Sequence, residues 1–447
     1  MKKKILLSLL ACLTVGFTAI GMVSCVELPD SGSESESLQE SLSESTNEQI
    51  GELLFTYITN NEYSVDGIGE YFGTDIIIPS TYNGGTVTQI GRGAFGSSGI
   101  TSVSIPDTVT HISENAFIDC DNLTEIIIPD SVKRIETGVF DNCSNLTKVK
   151  LGKNLEFIGF QAFWYCEKLE NITIPENVTM INDEAFQMCY GLKNVTFEGT
   201  KLETIGIEAF SSCTSLTSVE LPVGLKTLEG GAFGWCDNLE SVMLPNSLST
   251  IEYNAFYSCD KLSGVTIPDS VTSIGDWAFA ETSLTEIFIS DKVIDLGHAV
   301  FAKCNELANI IIDVNNPNYQ SIDGVVYTKD GTCLIQYAPK RQGVLYTVLD
   351  GVQKIGEGAF FGTQNLQEIV LPRSLTTIEY AAFQDGCKLE KVYYKGTEDD
   401  WSLVTFEQNG ANNGNIHKST KYFYTEEQPI VQGNYWCYDE NNEMKIW

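Results

Sequence analysis

The chain has 447 residues, with 27 Lys+Arg against 60 Asp+Glu and a formal charge of −33. Only seven of the acids fall in residues 1–50. The acidity therefore belongs to the body of the protein and argues against a surface that neutralises nucleic-acid phosphates. No D-x-D-x-D-G calcium loop occurs among these acids, so no metal and no other cofactor is expected.

In chain order, residues 1–24 hold three lysines, an interrupted apolar stretch and small residues ahead of Cys25. That make-up is a bacterial export signal. Met22-Val23-Ser24-Cys25 resembles a lipobox. The match implies cleavage before Cys25, a diacylglycerol on its sulfur, and contact with a membrane only through that anchor. Residues 25–50 are rich in Ser and Glu, bury nothing, and read as an extended acidic tether. Residues 51–95 read as an N-terminal cap, with a hairpin around YSVDG, leading into a first coil.

From there a ruler of twelve phenylalanines runs through the sequence: Phe95, Phe117, Phe140, Phe163, Phe186, Phe210, Phe233, Phe256, Phe279, Phe301, Phe360 and Phe383. Most neighbours stand 22 to 24 residues apart, which is the signature of a solenoid. One unit, Leu123 to Leu146, shows the template. Ile126 and Ile128 alternate with Glu125 and Ile127 as a short strand, and Pro129 closes it. Val132 and Ile135 follow, then Val139-Phe140 and Cys143. The Ala-Phe-x-x-Cys piece is too short for a long helix and predicts a helical or 3₁₀ turn opposite the strand. One coil cannot bury these residues alone, so coils must stack into parallel sheets around internal columns.

Eight cysteines stand three residues after a ruler phenylalanine. Their even spacing does not fit the short C-x₂₋₄-C pairs of zinc sites. Uniform stacking favours a column of buried, unpaired thiols over bridges that would pinch coils together. The repeats are expected over 96–313 and again over 348–395. Between them, residues 314–347 form a β-hairpin island, with turns at Asp323-Gly324 and Asp330-Gly331. Residues 396–447 lose the period and read as an aromatic, strand-like C-terminal cap.

The IPDSV-x-x-I and AF-x-x-C blocks, as in IIIPDSVKRIETGVFDNC (126–143), together with the island and the GNYWCYDENNEMKIW end, resemble the BspA-like bacterial leucine-rich repeat surface proteins. The resemblance covers residues 51–447. It implies a leucine-rich repeat solenoid with a parallel β-sheet on one face. It also implies an exported surface protein that adheres to host or microbial proteins. No shared ligand or catalytic residue comes with it.

Two sets of side chains stand out as candidate binding residues. Phe288, Ile311, Val370 and Tyr393 fall at outward strand positions in the C-terminal third, a candidate apolar patch unless the island or cap covers it. Trp164, Tyr165, Trp235 and Tyr257 follow the ruler phenylalanines and could grip a peptide or a sugar, or could pack between turns. His111, His298 and His417 are far apart, and no G-x-S-x-G, H-E-x-x-H or phosphate loop is present, so no enzyme is expected. The expected function is non-covalent protein binding or adhesion at the cell surface. A glycan-binding module and a structural envelope spacer are the alternatives.

Overall fold

The computed structural model describes residues 47–50, 53–69, 73–385, 387–407, 412–430 and 433–447. Cys25, the export signal and most of the tether lie outside the described residues. Ser45–Trp447 forms one compact unit.

Each coil presents three hydrogen-bonded faces. The first carries the template strands, such as Glu125–Ile127 and Lys148–Lys150, which pair in parallel with Glu125 opposite Lys148 and Ile126 opposite Val149. The second is a ladder of two-residue strands, in which Ile112, Ile135, Ile158 and Ile181 stand in register. These belong to a fourteen-stranded sheet that runs from Asn47–Ile50 to Asp295–Leu296. The third is the Ala-Phe turn itself. Phe117 N donates to Val139 O at 2.9 Å, and Phe140 N donates to Ala162 O at 2.8 Å.

In place of a regular helical or 3₁₀ turn, the segment is a run of tight turns, with Ala116 N donating to Ser113 O at 3.2 Å and Ile118 N to Asn115 O at 3.1 Å. In successive coils the residues two before and two after the ruler Phe have positive φ, as in Asn115 (59°) with Asp119 (57°) and Glu184 (55°) with Met188 (60°). A left-handed residue cannot continue a right-handed helical turn. Each costs about 1 kcal/mol for a residue with a Cβ. In return it aims its own N–H along the stack: Asp119 N reaches Asp141 O at 2.8 Å and Met188 N reaches Ser211 O at 2.9 Å. Among the described residues the helices are Glu398–Ser402 and Gly414–Lys418, both in the C-terminal cap.

Inside, the ruler rings form a spine. Phe163, Phe186 and Phe210 lie nearly parallel, with centroids 5.1 Å apart at each step. Every ruler ring is buried. Beside it runs the thiol column, where Cys143 Sγ donates to Phe117 O at 3.1 Å and Cys166 Sγ donates to Phe140 O at 3.2 Å. Burial pushes the Cys189 and Cys236 thiols up to about 12, so they stay protonated and inert.

The island does not pack on the flank of the stack. It is a three-stranded antiparallel meander, Tyr319–Ile322, Val325–Thr328 and Cys333–Tyr337. Its last strand pairs in parallel with Lys354–Ile355 and so starts a second ladder, in a six-stranded sheet separate from the fourteen-stranded one. Tyr337 occupies the position of the absent ruler residue: its N donates to Ala359 O at 2.8 Å and its ring lies 5.1 Å from Phe360. Val326 joins the N-terminal core while Val325, on the other side of the same strand, joins the C-terminal one. At the ends, the Leu53–Tyr57 and Glu62–Gly67 hairpin lies against Gly85–Ile90. Thr420–Tyr424, Tyr435–Tyr438 and Met444–Ile446 extend the last strand sheet.

Candidate functional site

Because strand residues alternate, every coil pushes two side chains outward on the first face. Its middle is polar, and Asn194 Nδ2 donates to Asn171 Oδ1 at 2.7 Å. Isolated apolar side chains interrupt it: Ile127 is 61% exposed, Met243 63% and Phe288 47%. Ile77, in the first coil, is also exposed. Ile311 lies in register beside Phe288 and is half-buried.

The apolar patch expected in the C-terminal third is corrected here. Val370 and Tyr393 are buried beneath Trp436, whose ring meets Tyr393 edge-on at 5.7 Å. The cap strands continue the same sheet beyond Tyr393, and Trp436 packs with both residues in one buried cluster. Tyr393 ends its hydroxyl on Glu368 Oε2 at 3.0 Å. The Phe288 and Ile311 strands also form a separate two-stranded sheet, apart from the six-stranded sheet of Val370 and Tyr393. The four residues therefore do not make one surface.

The aromatic residues of the turn edge fall into two clusters. Trp164, Tyr165 and Tyr190 pack with centroids 5.3 and 5.8 Å apart, and Trp164 Nε1 donates to Gln187 Oε1 at 2.8 Å. Trp235 and Tyr257 meet edge to face at 5.3 Å and continue into Trp277 at 6.4 Å and Phe361 at 5.4 Å. The sequence reading missed these last two. Trp277 precedes its ruler Phe rather than following it, and Phe361 arrives from beyond the island. Tyr257 donates to Glu281 Oε1 at 3.0 Å. Burial, then the Glu281 charge, pushes its hydroxyl up to about 12.

Carboxylates line the same edge. Burial, then the nearby Asp119, pushes the Asp141 carboxyl up to about 6. The folded chain therefore holds that proton more tightly than the unfolded chain. This contribution to stability is full below about pH 4 and is lost as pH rises through about 6. Asp141→Asn should accordingly raise stability at pH 7 by about 1 kcal/mol after solvent screening, with no gain at pH 4. Urea unfolding at the two pH values checks this, and an equal effect at both would contradict it.

A cleft of about 410 Å³ opens where the island interrupts the ladder, lined among others by His298, Cys333, Lys354 and Glu379. Its charged groups already satisfy one another. Lys354 Nζ meets Glu379 Oε1 at 2.7 Å, and Glu379 Oε2 accepts the Glu357 N–H at 3.0 Å. Burial pushes the Cys333 thiol up to about 11, the wrong protonation state for a nucleophile at neutral pH. Among the described residues no group of three or more His, Cys, Asp or Glu could hold a metal ion. No helix of the described residues is long and apolar enough to cross a membrane.

Stacked coils, strand ladders and ruler columns define a leucine-rich repeat solenoid. The chain belongs to the family described as BspA type leucine rich repeat region, which matches residues 88–201, 179–308 and 345–426. It is similar to a leucine-rich repeat protein of Bacteroides ovatus, at 27% identity and TM-score 0.59, over 85% of this chain and 100% of that one. It also shares its fold with a leucine rich cell surface protein of Faecalibacterium prausnitzii, at 24% identity and TM-score 0.55, over 80% of this chain and 97% of that one. No curated protein matches it. Leucine-rich repeat proteins are typically non-enzymatic and generally bind other proteins.

Proposed function

We propose that this is a surface-anchored lipoprotein whose solenoid adheres to a protein partner through non-covalent contacts spread over several coils. The observation that carries this reading is the first face. It is a polar face built of successive short parallel sheets, one coil after another, from which Ile127, Met243 and Phe288 stand exposed, the mixture of apolar anchors and polar surround that serves protein contact. Glycan binding is less well supported, because the turn-edge rings contact one another edge to face instead of standing free for a sugar to stack on. Acylation of Cys25 would tether the solenoid to the membrane through the acidic spacer, leaving its faces free.

One experiment addresses both parts. Photo-crosslinkers at positions 127, 243 and 288 of the cell-displayed protein should trap one and the same partner, while crosslinkers at the buried positions 370 and 393 should trap none. Cys25→Ser should move the protein from the membrane fraction to the soluble fraction. Crosslinking that is no richer on this face than at the buried positions would remove the binding reading. A Cys25→Ser chain that stays with the membrane would remove the anchor.

A further inference from the structure

The strand face is divided into short sheets, but behind it the ladder and the ring spine run on from coil to coil. At the island all three stop together. The fourteen-stranded sheet ends at Asp295–Leu296, and the ladder resumes at Cys333–Tyr337 in a different sheet. Asn309–Ile312 closes its strand pair, and Leu345–Thr347 opens another sheet. The stacked rings end with the Phe279–Phe301 step at 6.0 Å and begin again with Phe360–Phe383 at 4.8 Å. The main core divides at the same level. Val326 and Ala338 face the first cluster, while Val325, Tyr327, Leu334 and Tyr337 face the second.

Side chains take over from the main chain across this level. Ile128 N donates to Lys150 O of the next coil at 2.8 Å, but its counterpart Ile312 N donates to Ser321 Oγ at 3.0 Å. Leu296 N donates to the Tyr319 hydroxyl at 3.1 Å, and Asn318 Nδ2 donates to Ile294 O at 2.6 Å. Asn316 is fully buried. Its Nδ2 donates to Ser290 O at 2.9 Å and Val293 O at 2.8 Å, and its Oδ1 accepts from Asn318 N at 3.0 Å and Tyr319 N at 2.9 Å. These side chains close the open end of the first stack, which is the task of a terminal cap, although the chain continues beyond them. Contact across the level is kept at the turn edge, where Phe361 packs with Ala299 and Ala302. Among the described residues the main-chain bonds that cross it are Lys303 N to Phe361 O at 3.3 Å and Lys340 N to Leu307 O at 2.9 Å.

We propose that the island is an internal joint at which the solenoid parts into two cooperative units, residues up to Asp313 and residues from Tyr319 on, each able to open while the other stays folded. A stack passes stability along only through contacts between neighbouring coils. The level where ladder, spine and main core lapse together is where that passage is weakest. Ile127, Met243 and Phe288 all belong to the first unit, so they stay displayed when the second opens. This goes beyond the binding reading above and does not depend on it.

The test is hydrogen exchange of the full chain, read by mass spectrometry, for variants close to either side of the joint. Phe360→Ala should quicken exchange over residues 345–394 by about tenfold or more and change residues 227–296 less than about twofold. Phe279→Ala should do the reverse. Phe360→Leu and Phe279→Leu keep more of the volume and should show the same division with smaller factors, so the comparison stands even where an alanine chain does not fold. Asn316→Ala removes bonds that are lost when either unit opens, and should quicken both stretches by a common factor. Quickening that passes from either phenylalanine variant across the island, as it passes between coils of one unit, would overturn the proposal. An Asn316→Ala effect confined to one side would overturn it too.

Discussion

Phe186→Ala should lower the unfolding free energy by about 3–5 kcal/mol, the cost of emptying a phenylalanine site in a packed core. The ring lies 5.1 Å from both Phe163 and Phe210, at interplanar angles of 3° and 4°. Neither neighbour can tilt into the space without leaving the stack on its other side. The backbone bonds survive the change, since Phe186 N still reaches Ala209 O and Phe186 O still accepts from Cys189 N and Cys213 Sγ. The loss is therefore one of packing. In a solenoid each coil touches only its neighbours, so the weakness stays local. Hydrogen exchange should quicken over the coils of Phe163 to Phe210 first, while the two ends keep their protection. Phe186→Leu should recover most of the stability by refilling much of the volume. A Phe186→Ala loss below about 1 kcal/mol would mean that the column is not the structural spine.

How much of this could be read from the residues depends on whether the signal is local. The spine was legible because the same ring returns every coil, and a periodic apolar position has no other use in a stack. The thiol column was legible for the same reason. The turn was not. Asn115, Asp119 and Asn142 are natural left-handed residues, but Gln161, Glu184, Met188 and Trp235 sit at the same places and carry no such preference. There the stack imposes the conformation on whatever residue occupies it. Long-range cover escaped for a different reason. The alternation of the strand placed Val370 and Tyr393 on the outward side correctly. What buries them is Trp436, more than forty residues further on, and no local pattern reports which strand a terminal segment will lie against. The Trp277–Phe361 contact escaped likewise, because the register resumes across the island only when Tyr337 stands in for a phenylalanine.

Trp436→Ala tests that cover directly. The indole is fully buried and meets Tyr393, Tyr424 and Tyr438 edge-on at 5.7, 5.3 and 5.1 Å. Its Nε1 donates to Tyr394 O at 3.1 Å, which ties the cap to the last strand of the repeat. Truncation loses the ring contacts and leaves that carbonyl without its indole donor, so a cost of about 3–5 kcal/mol is expected. The consequence should differ from that of Phe186→Ala. A terminal cap holds water off the last coil, and opening it uncovers Val370 and Tyr393 as a new apolar patch. The variant should bind a hydrophobic dye and self-associate under native conditions, with exchange protection lost from 420–446 before any other segment. The N-terminal coils, which share no core with this cluster, should keep theirs. Dye binding no greater than wild type, together with unaltered protection of Thr420–Tyr424, would show that the last strands of the repeat do not need the indole to stay covered.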